Sequence, residues 1–468
     1  MYKTGIAGAV LACASAAVAD GVVRGVNLGG WLVTEPWMTP SIFEKTNTTS
    51  EWSLCSALGK DEALSQLQNH WSTFYTRDDL VAIKKAGLTA IRIPLGYWAV
   101  DLLDYEPYVS GQYPYLVQAI QWANELGLKA MIDLHGVPGS QNGWEESGIV
   151  GGIEFPANSS NSDRSLKVLQ NLTTEFTKSQ YGGVVTNIEL MNEPIFANAP
   201  LQEFYTAGAK VVGPANSSGI NTTIHDAFYN PPTWKNYDPY NSQAQSPAPY
   251  VTLDTHQFWA FPPLDTLGKE AILERICQFG QTIKTNNSGI PPTLVGEFSL
   301  STGYTANSTS QTEEDQDKRT WFRMAFEAQN AAYAPNAPGQ ASIGWYFWAW
   351  KTEYDIDAWS YRRGLADGYI PSNVSDPTTY VFPIMENGCI NENVTYSAPK
   401  NIPYFNGDSN AQSASASSSA SSTGKNGQAS ATSSGAASSS TKSSSAGSVM
   451  PALWAAIGLA AGAVAMLS

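Results

Sequence analysis

The sequence contains little charge, and basic residues are especially scarce. Only 14% of its 468 residues are charged, with 26 Lys and Arg beside 41 Asp and Glu. Because Lys3, Lys425 and Lys442 lie near the chain ends, residues 20–410 hold 23 basic and all 41 acidic residues, a net charge of −18. A body this acidic repels phosphate backbones, so we expect no nucleic-acid partner.

The sequence also lacks the common signatures of metal and phosphate chemistry. Its four histidines, His70, His135, His225 and His256, show no close metal-ligand spacing. It has no Gly-rich phosphate loop and no Gly-x-Ser-x-Gly nucleophile motif. We therefore expect a protein that works without a metal or other cofactor.

Aromatic residues, in contrast, are plentiful. They make up 11% of the chain and include 15 Trp. Many aromatic rings among few charges favour stacking on flat, neutral, hydroxyl-rich ligands. A Trp-rich core is the alternative, and the 43% hydrophobic content supplies ample material for a core.

The N-terminus has the pattern of a secretory signal peptide. Residues 1–19 begin with Lys3, continue through an apolar stretch and end in Ala17-Val18-Ala19. Residues 411–448 are almost entirely Ser, Ala, Thr and Gly, a composition that cannot bury enough apolar surface to fold. One folded domain, residues 20–410, is therefore predicted between the signal and a disordered stalk.

The C-terminal segment 449–468 is apolar and uncharged, and it allows two interpretations. It is about long enough to span a bilayer, but no basic cluster follows it. A hydrophobic end behind a polar spacer and small residues is typical of a glycosylphosphatidylinositol (GPI) attachment signal, here with cleavage within Gly435–Ser445. We favour the GPI anchor and predict a secreted protein on the cell surface, held at the plasma membrane or cell wall.

Cysteines and glycosylation sequons fit a secreted protein. Cys13 is lost with the signal peptide, and the odd number that remains (Cys55, Cys277 and Cys389) indicates one disulfide and one free thiol. Nine Asn-x-Ser/Thr sequons are typical of a secreted surface. They lie at Asn47, Asn158, Asn171, Asn216, Asn221, Asn286, Asn307, Asn373 and Asn393.

Within residues 20–410, short β-rich runs alternate with longer segments of helical spacing, such as Asp78–Ala86 and Tyr115–Leu126. The eight candidate strands, of which the fifth is weak, are Val22–Leu28, Ala90–Pro94, Ala130–Leu134, Val184–Met191, Ile224–Phe228, Tyr250–Asp254, Thr293–Gly296 and Ser342–Phe347. This alternation predicts an α/β fold, a single (β/α)8 barrel with loop insertions.

Polar and ionisable residues follow most of these strands, at the face where such barrels place their chemistry. Two of them, Glu193 and Glu297, end strands four and seven, which face each other across the barrel mouth. A lone Glu is more often a salt-bridged or helix-capping residue. Two opposed carboxylates in a cleft, however, are what glycosidic bond cleavage requires.

Several strand ends together resemble glycoside hydrolase family 5. The matching motifs, in the family's order, are Arg92-Ile-Pro, Asp133-Leu-His135-Gly136, Asn192-Glu193-Pro194, His256 and Gly296-Glu297-Phe298. Three more, together with the order of the late cysteines, look like the fungal exo-β-1,3-glucanase branch. These are Gly25-Val-Asn27-Leu-Gly-Gly-Trp31-Leu-Val-Thr-Glu35-Pro, Gly136-Val-Pro-Gly-Ser-Gln-Asn142-Gly and Trp345-Tyr-Phe-Trp348-Ala-Trp350-Lys351-Thr-Glu. The resemblance extends from about residue 24 to 390.

The resemblance implies a retaining, double-displacement mechanism, with Glu193 as the general acid/base (proton donor) and Glu297 as the nucleophile. It implies that Arg92 and Asn192 hold the nucleophile and the 2-hydroxyl of the sugar. His135 and His256 would orient the sugar ring in the first subsite.

Other positions match the part of the family's pocket that binds the terminal sugar. Glu35 matches a carboxylate that grips the sugar's hydroxyls, and Asn142 and Glu145 match the loop that closes the pocket. Trp348 is the best match for the aromatic floor of the first subsite. Trp345 and Trp350 remain alternatives, and at least one of these three packs in the core.

Two positions depart from the family pattern. Phe258 stands where the family usually has a Tyr that donates to the nucleophile. Trp144-Glu145-Glu146 replaces the usual Phe-Asp-Asn at the blind end of the pocket. Loss of the Tyr donor should make Glu297 more basic. Carboxylates at the blind end would retune or open the terminal subsite, which weakens the assignment of exo action on β-1,3 linkages and leaves the glycosidase assignment intact. The family also implies a disulfide between Cys277 and Cys389, with Cys55 free.

The resulting hypothesis is a monomeric, anchored β-1,3-glucanase that releases glucose from non-reducing ends during fungal cell-wall remodelling. Its substrate is β-glucan poly- or oligosaccharide, and its only membrane contact is the lipid anchor. Endo action, a β-1,6 preference and transglycosylation are alternatives within the family. A catalytically silent wall-binding glycoprotein is the alternative from another class.

Overall fold

A computed structural model describes residues 21–213, 219–240, 251–303 and 311–400. Eight parallel strands form a closed barrel in which each strand pairs with the next and the eighth returns to the first. The strands are β1 Val23–Asn27, β2 Ala90–Gly96, β3 Lys129–Gly136, β4 Val185–Glu189, β5 Asn221–His225, β6 Val251–Trp259, β7 Thr293–Thr302 and β8 Ser342–Phe347. The predicted barrel and its eight strands are confirmed, with β5 beginning three residues before the predicted start.

Helices connect most of the strands on the outside of the barrel. The α-helices are α1 Pro40–Phe43, α2 Glu51–Leu58, α3 Lys60–Thr73, α4 Arg77–Lys85, α5 Tyr113–Leu126, α6 Ser159–Phe176, α7 Asn198–Val212, α8 Lys269–Ile283, α9 Gln311–Tyr333 and α10 Tyr361–Ala366. Between β5 and β6 the described residues form only a 3-10 helix, Pro231–Trp234. Its two leading prolines lie in the first turn, where backbone N–H groups have no intrahelical partner and proline is tolerated.

The predicted helices form where local chemistry stabilises their ends. Thr76 and Asp79 form a capping box at the start of α4, and basic Lys84 and Lys85 complement the dipole at its end. Helix α5 ends at Gly127, whose φ of 65° is the left-handed conformation that glycine adopts without strain.

The barrel strands separate two environments. Their outward side chains pack against the helices in the main hydrophobic core, whereas polar side chains fill the C-terminal end of the interior. The interior is crowded: a Cβ added at Gly296 would come within 2.0 Å of Asp254 Oδ2. Glycine at this position therefore lets the two strands that carry His256 and Glu297 approach closely.

The disulfide Cys277–Cys389 is present, and Cys55 is a free, buried thiol, so both expectations are confirmed. The predicted signal peptide, stalk and C-terminal attachment signal lie outside the described residues, as do the sequons Asn216 and Asn307. Of the described sequons, two asparagines are half-buried, Asn221 and Asn373. The other five are exposed: Asn47, Asn158, Asn171, Asn286 and Asn393. In the part of the chain that the structure describes, no helix has the length and apolar character needed to cross a membrane.

Candidate active site

Arg92, on β2, forms the centre of the polar interior. Its buried guanidinium donates from Nη1 to Glu297 Oε1 at 2.8 Å and to Asn27 Oδ1 at 3.0 Å. It donates from Nη2 to Glu189 Oε2 at 2.7 Å and to Asn192 Oδ1 at 2.8 Å. A buried cation is tolerated only where acceptors replace its water shell. These strand-end residues do so, and the same bonds fix the Glu297 carboxylate in place.

Glu193, just after β4, and Glu297, within β7, both approach His256 of β6. His256 Nδ1 lies 2.5 Å from Glu193 Oε1 and 3.5 Å from Glu297 Oε2. The two carboxylate oxygens are therefore at most about 6 Å apart, the sum of the two distances. Glycosidases that retain configuration hold their carboxyl groups about 5–5.5 Å apart, and those that invert it about 6.5–9.5 Å. A limit of about 6 Å on this pair of oxygens favours the retaining arrangement.

Glu193 adopts a backbone conformation that non-glycine residues rarely use, with φ at 46°. Two backbone hydrogen bonds flank it, from Asn192 N to Leu134 O and from Ile195 N to Gln141 O, both 3.2 Å. The neighbouring β3 end and its loop thus hold the turn. Strained residues of this kind are found at functional sites, where the surrounding structure stabilises them.

The two carboxylates and His256 influence one another's charge. Burial raises the pKa of Glu297 to about 8, while His256 and Arg92 oppose the rise and Glu193 adds to it. Burial lowers the pKa of His256, but the carboxylates of Glu297, Glu193 and Asp254 outweigh burial and leave that pKa well above its ordinary value. Arg92 and the charged His256 are thus the groups that favour the ionised form of Glu297, the form that nucleophilic attack requires.

Glu35 lies in the loop after β1, close to this pair. It is buried and accepts a hydrogen bond from Trp37 Nε1 at 2.8 Å. Burial raises its pKa well above the ordinary value, and the charges of Glu145, Glu297 and Glu193 add to the rise. The structure thus brings this predicted sugar-binding residue into the electrostatic field of the catalytic candidates.

Two more carboxylates, Glu145 and Glu146, lie in the loop after β3, and together with Glu35 they form what we term the acidic end of the pocket. Glu146 is buried, and its Oε1 accepts from Asn142 Nδ2 at 2.7 Å. Burial raises the pKa of Glu146 well above its ordinary value, with Glu193, Glu145 and Glu35 adding to it. Burial and the charge of Glu193 also raise the pKa of the half-buried Glu145.

Asn142 is engaged within the protein. Its Nδ2 bonds Glu146 and also the Glu193 carbonyl at 3.1 Å, and its Oδ1 accepts from Trp144 N at 3.0 Å. Asn142 was predicted to bind substrate directly. The structure shows it joining the acidic end to the backbone of Glu193.

His135, Trp348 and Asn192 have groups available to a ligand. His135 Nδ1 lies 2.6 Å from Asp133 Oδ2, and its Nε2 has no hydrogen-bond partner among the described residues. The Trp348 ring is parallel to the His135 ring, with 5.6 Å between centroids. Asn192 Nδ2 likewise has no partner within the described ranges. These buried donors and this ring suit a hydroxyl-rich ligand.

The other two tryptophans, Trp345 within β8 and Trp350 after it, face the helices. Trp345 Nε1 donates to Asn330 of α9 at 3.1 Å, and Trp350 Nε1 donates to Asp79 of α4 at 3.0 Å. Both are buried core residues, which agrees with the prediction that at least one of the three tryptophans packs in the core. Of the three, Trp348 is the one whose ring stacks on His135 at the end of β3.

Phe258 leaves the nucleophile candidate without the hydroxyl that the family pattern supplies. Its half-buried ring packs against Trp359 and Phe261, with centroids 5.5 and 5.9 Å away. The hydrogen bond to Glu297 comes instead from Arg92.

Sequence reasoning did not assign several residues that the structure places here. Asp254 accepts from Gly296 N at 2.7 Å, and Glu189 binds Arg92. His225, at the end of β5, lies 4.5 Å from His256 between ring centroids. Ligating atoms of Glu193, His225 and His256 lie within 4.8 Å of one another, so these three residues are the candidate metal ligands in the described part of the chain. Their positions at strand ends were the available signal.

A closed (β/α)8 barrel with two buried, opposed carboxylates at its C-terminal face is the arrangement of a glycoside hydrolase. Comparison with known proteins agrees, because the sequence profile described as cellulase (glycosyl hydrolase family 5) matches residues 55–353. The chain belongs to glycosyl hydrolase family 5. Membership in this family, with both carboxylates in place, leaves the catalytically silent alternative without support.

Fungal relatives and a solved structure extend the comparison. A glucan 1,3-beta-glucosidase of Blumeria graminis is 36% identical over 390 residues, covering 75% of this chain and 86% of that protein. Glucan 1,3-beta-glucosidase 1 of Schizosaccharomyces pombe is 35% identical over 382 residues, covering 76% and 89%. The rutinosidase from Aspergillus niger shares the fold, with a TM-score of 0.64 at 20% identity over 75% of this chain and 99% of that one.

Proposed function

We propose that this glycoside hydrolase retains anomeric configuration and releases glucose from the non-reducing ends of β-1,3-glucan. The observation that carries the proposal is the convergence of Glu193 and Glu297 on His256, which limits their oxygens to a separation suited to a covalent intermediate. The fungal relatives, which are named glucan 1,3-beta-glucosidases, support the β-1,3 linkage.

In the proposed mechanism Glu297 attacks the anomeric carbon while Glu193 gives its proton to the glycosidic oxygen. The carbon–oxygen bond breaks, and the shortened glucan leaves with that proton. Glu193, now ionised, removes a proton from water, which attacks the glucosyl–Glu297 ester. Glucose leaves in the β configuration, and both carboxyl groups return to their starting states.

The surrounding residues have matching proposed roles. Arg92 holds the nucleophile through its 2.8 Å bond, and Asn192 Nδ2 is available for the 2-hydroxyl of the sugar. His135 Nε2 donates to a ring hydroxyl, and Trp348 forms the floor of the subsite.

At the far end of the sugar, Glu35 and Glu145 accept bonds from the terminal hydroxyls, while Asn142 fixes their loop. We infer that an end lined by carboxylates whose charges act on one another closes the pocket behind one sugar, which favours exo action.

We further propose that the protein is a secreted, GPI-anchored monomer of the fungal cell surface. The terminal sequence patterns support this proposal, and the five exposed sequons fit a secreted surface. Treatment of intact cells with a phosphatidylinositol-specific phospholipase should release the protein. Retention on the membrane after treatment would favour a spanning helix.

Product analysis tests the reaction itself. Laminaripentaose should yield glucose and laminaritetraose first, and Glu297→Gln should abolish the reaction. Shorter oligosaccharides without glucose would indicate endo action, and faster cleavage of gentio-oligosaccharides would indicate a β-1,6 preference. Products longer than the substrate would indicate transglycosylation, which uses the same catalytic residues with a sugar as acceptor.

A further inference from the structure

Glu51 lies outside the pocket, yet its buried carboxylate joins the loop that carries Glu35 to Trp98, whose ring packs beneath the loop that carries Glu145 and Glu146. It is the first residue of α2 and is fully buried. Its Oε2 accepts from Thr34 N at 3.1 Å and from Thr34 Oγ1 at 3.0 Å, and its Oε1 accepts from Trp98 Nε1 at 2.7 Å. An ionised carboxylate offers acceptors only and therefore satisfies all three donors.

The Thr34 bonds fix the position of Glu35. Thr34 directly precedes Glu35, so its backbone N–H and its hydroxyl are both anchored one residue before the sugar-binding carboxylate. On the other side, the Glu35 carbonyl accepts from Met38 N at 3.1 Å and from Thr39 N at 2.9 Å. Glu35 is thus held between the Glu51 anchor and a tight turn.

The Trp98 bond fixes the other loop. A Cβ on Gly136 would come within 2.8 Å of the Trp98 ring, and one on Gly148 within 2.5 Å, so this ring fills the space beneath the loop after β3. Gly148 N donates to Glu145 O at 2.9 Å, which closes the 3-10 helix Glu145–Ser147. The residue after Glu51 adds a direct bond, because Trp52 N donates to Gly148 O at 2.9 Å.

The electrostatic surroundings give this carboxylate an unusual state. Burial raises the pKa of Glu51 to about 7, although the bonds from Thr34 and Trp98 oppose the rise. Two titratable groups face it, Cys55 on the same helix and Tyr108 beside Trp98, and the charge of Glu51 adds to the raised pKa of each. Neither group provides a positive charge, so hydrogen bonds are what stabilise the ion.

We propose that Glu51 is a positioning residue for the terminal sugar. It sets the spacing between Glu35 on one loop and Glu145 and Glu146 on the other, without touching the substrate. This inference rests on the proposed function in one respect, namely that the sugar bound at the acidic end is glucose. Loss of the anchor should therefore weaken sugar binding more than it slows the chemical step.

Glu51→Gln tests the proposal, because the variant keeps the size of the side chain but turns an NH2 group toward a donor. A buried donor left without an acceptor costs about 1–3 kcal/mol. We expect the KM for laminaritriose and the inhibition constant of glucose to rise about tenfold, with kcat changed less than about threefold. Trp98→Phe removes one donor and part of the ring beneath the loop after β3, and should shift both constants in the same direction by at least about threefold.

Glu327→Gln is the matched control. Glu327 is a buried carboxylate on α9 that accepts from Val381 N at 2.9 Å and from Phe382 N at 2.8 Å, outside the pocket loops. The Glu327→Gln variant should have a lower melting temperature, with the KM for laminaritriose and the inhibition constant of glucose unchanged.

Three outcomes would overturn the proposal. The first is that the KM for laminaritriose and the inhibition constant of glucose stay unchanged in Glu51→Gln and Trp98→Phe. The others are that Glu327→Gln shifts these two constants as much as Glu51→Gln does, or that Glu51→Gln lowers kcat and leaves KM constant. Should the wild type fail to cleave laminaritriose, the proposed function fails instead. Glucose binding measured by calorimetry on the wild type and Trp98→Phe then still decides the role of Glu51.

Discussion

His256 Nδ1 lies 2.5 Å from Oε1 of Glu193, so the charge of the imidazole acts directly on the proposed proton donor. Because His256 also lowers the pKa of Glu297, its replacement by Gln should raise that pKa. We expect the acidic limb of the pH profile of kcat/KM, which reports ionisation of the nucleophile, to move upward by roughly one unit, since a charge this close shifts a pKa by about 1–3 units. Rates measured from pH 4 to 10 check this. A profile that stays in place would mean that His256 carries no charge during the reaction.

Glu193→Ala should separate the two steps of the reaction. Glucan cleavage should fall about 10²–10⁴-fold because the leaving oxygen receives no proton. A dinitrophenyl β-glucoside, whose leaving group needs no proton, should still form the glucosyl-enzyme, and azide should accelerate its turnover to β-glucosyl azide. Equal losses on both substrates would argue against Glu193 as the acid. Glu297→Ala serves as the comparison and should give no β-glucosyl azide.

Glu146→Gln should make folding less sensitive to pH. The pKa of Glu146 in the folded protein lies well above its ordinary value of 4.5, so the folded state favours the protonated form. Its contribution to stability is therefore present at pH 4 and is lost as the pH rises through the folded-state pKa. Gln stays neutral and keeps an acceptor for Asn142. The variant should be more stable than the wild type by about 1 kcal/mol or more at pH 8, with little difference at pH 4. Urea titrations at both pH values measure the difference, and parallel curves would contradict the expectation.

The disulfide should matter for stability and little for catalysis. Cys277 on α8 and Cys389 are 112 residues apart in sequence, and closing a loop of that size is worth about 4–5 kcal/mol in the chain-entropy description. Replacing both by Ser should lower the free energy of unfolding by several kcal/mol and leave kcat/KM at 25 °C unchanged. Cys55→Ser is the control, since that buried thiol is free. A large fall in kcat/KM in the double variant would contradict this expectation, because it would show that the disulfide supports the pocket.

The sequence was sufficient for the barrel and for most of the pocket, because polar residues at strand ends mark the functional face. It did not resolve which of Trp345, Trp348 and Trp350 faces inward. Residues two apart share a face while the strand is regular, but Trp348 and Trp350 follow the end of β8 at Phe347, where that alternation no longer applies.

The exact register between neighbouring strands could not be predicted from the sequence. His256 pairs in register with Glu297 because the ladder between β6 and β7 shifts between Thr255 and His256, and no residue pattern signals that shift. Glu51 was missed for a different reason. It sits in a short helix far from any strand end, and only the folded loops show that it joins Thr34 to Trp98.

The most direct test of the account is the configuration of the first sugar released. Proton NMR spectra recorded during the first minutes of laminaritriose hydrolysis should show β-glucose appearing ahead of the α anomer, together with laminaribiose. This result requires both cleavage at the non-reducing end of the chain and a double-displacement mechanism. Initial release of α-glucose would mean inversion, and it would contradict the mechanism built on the close approach of Glu193 and Glu297.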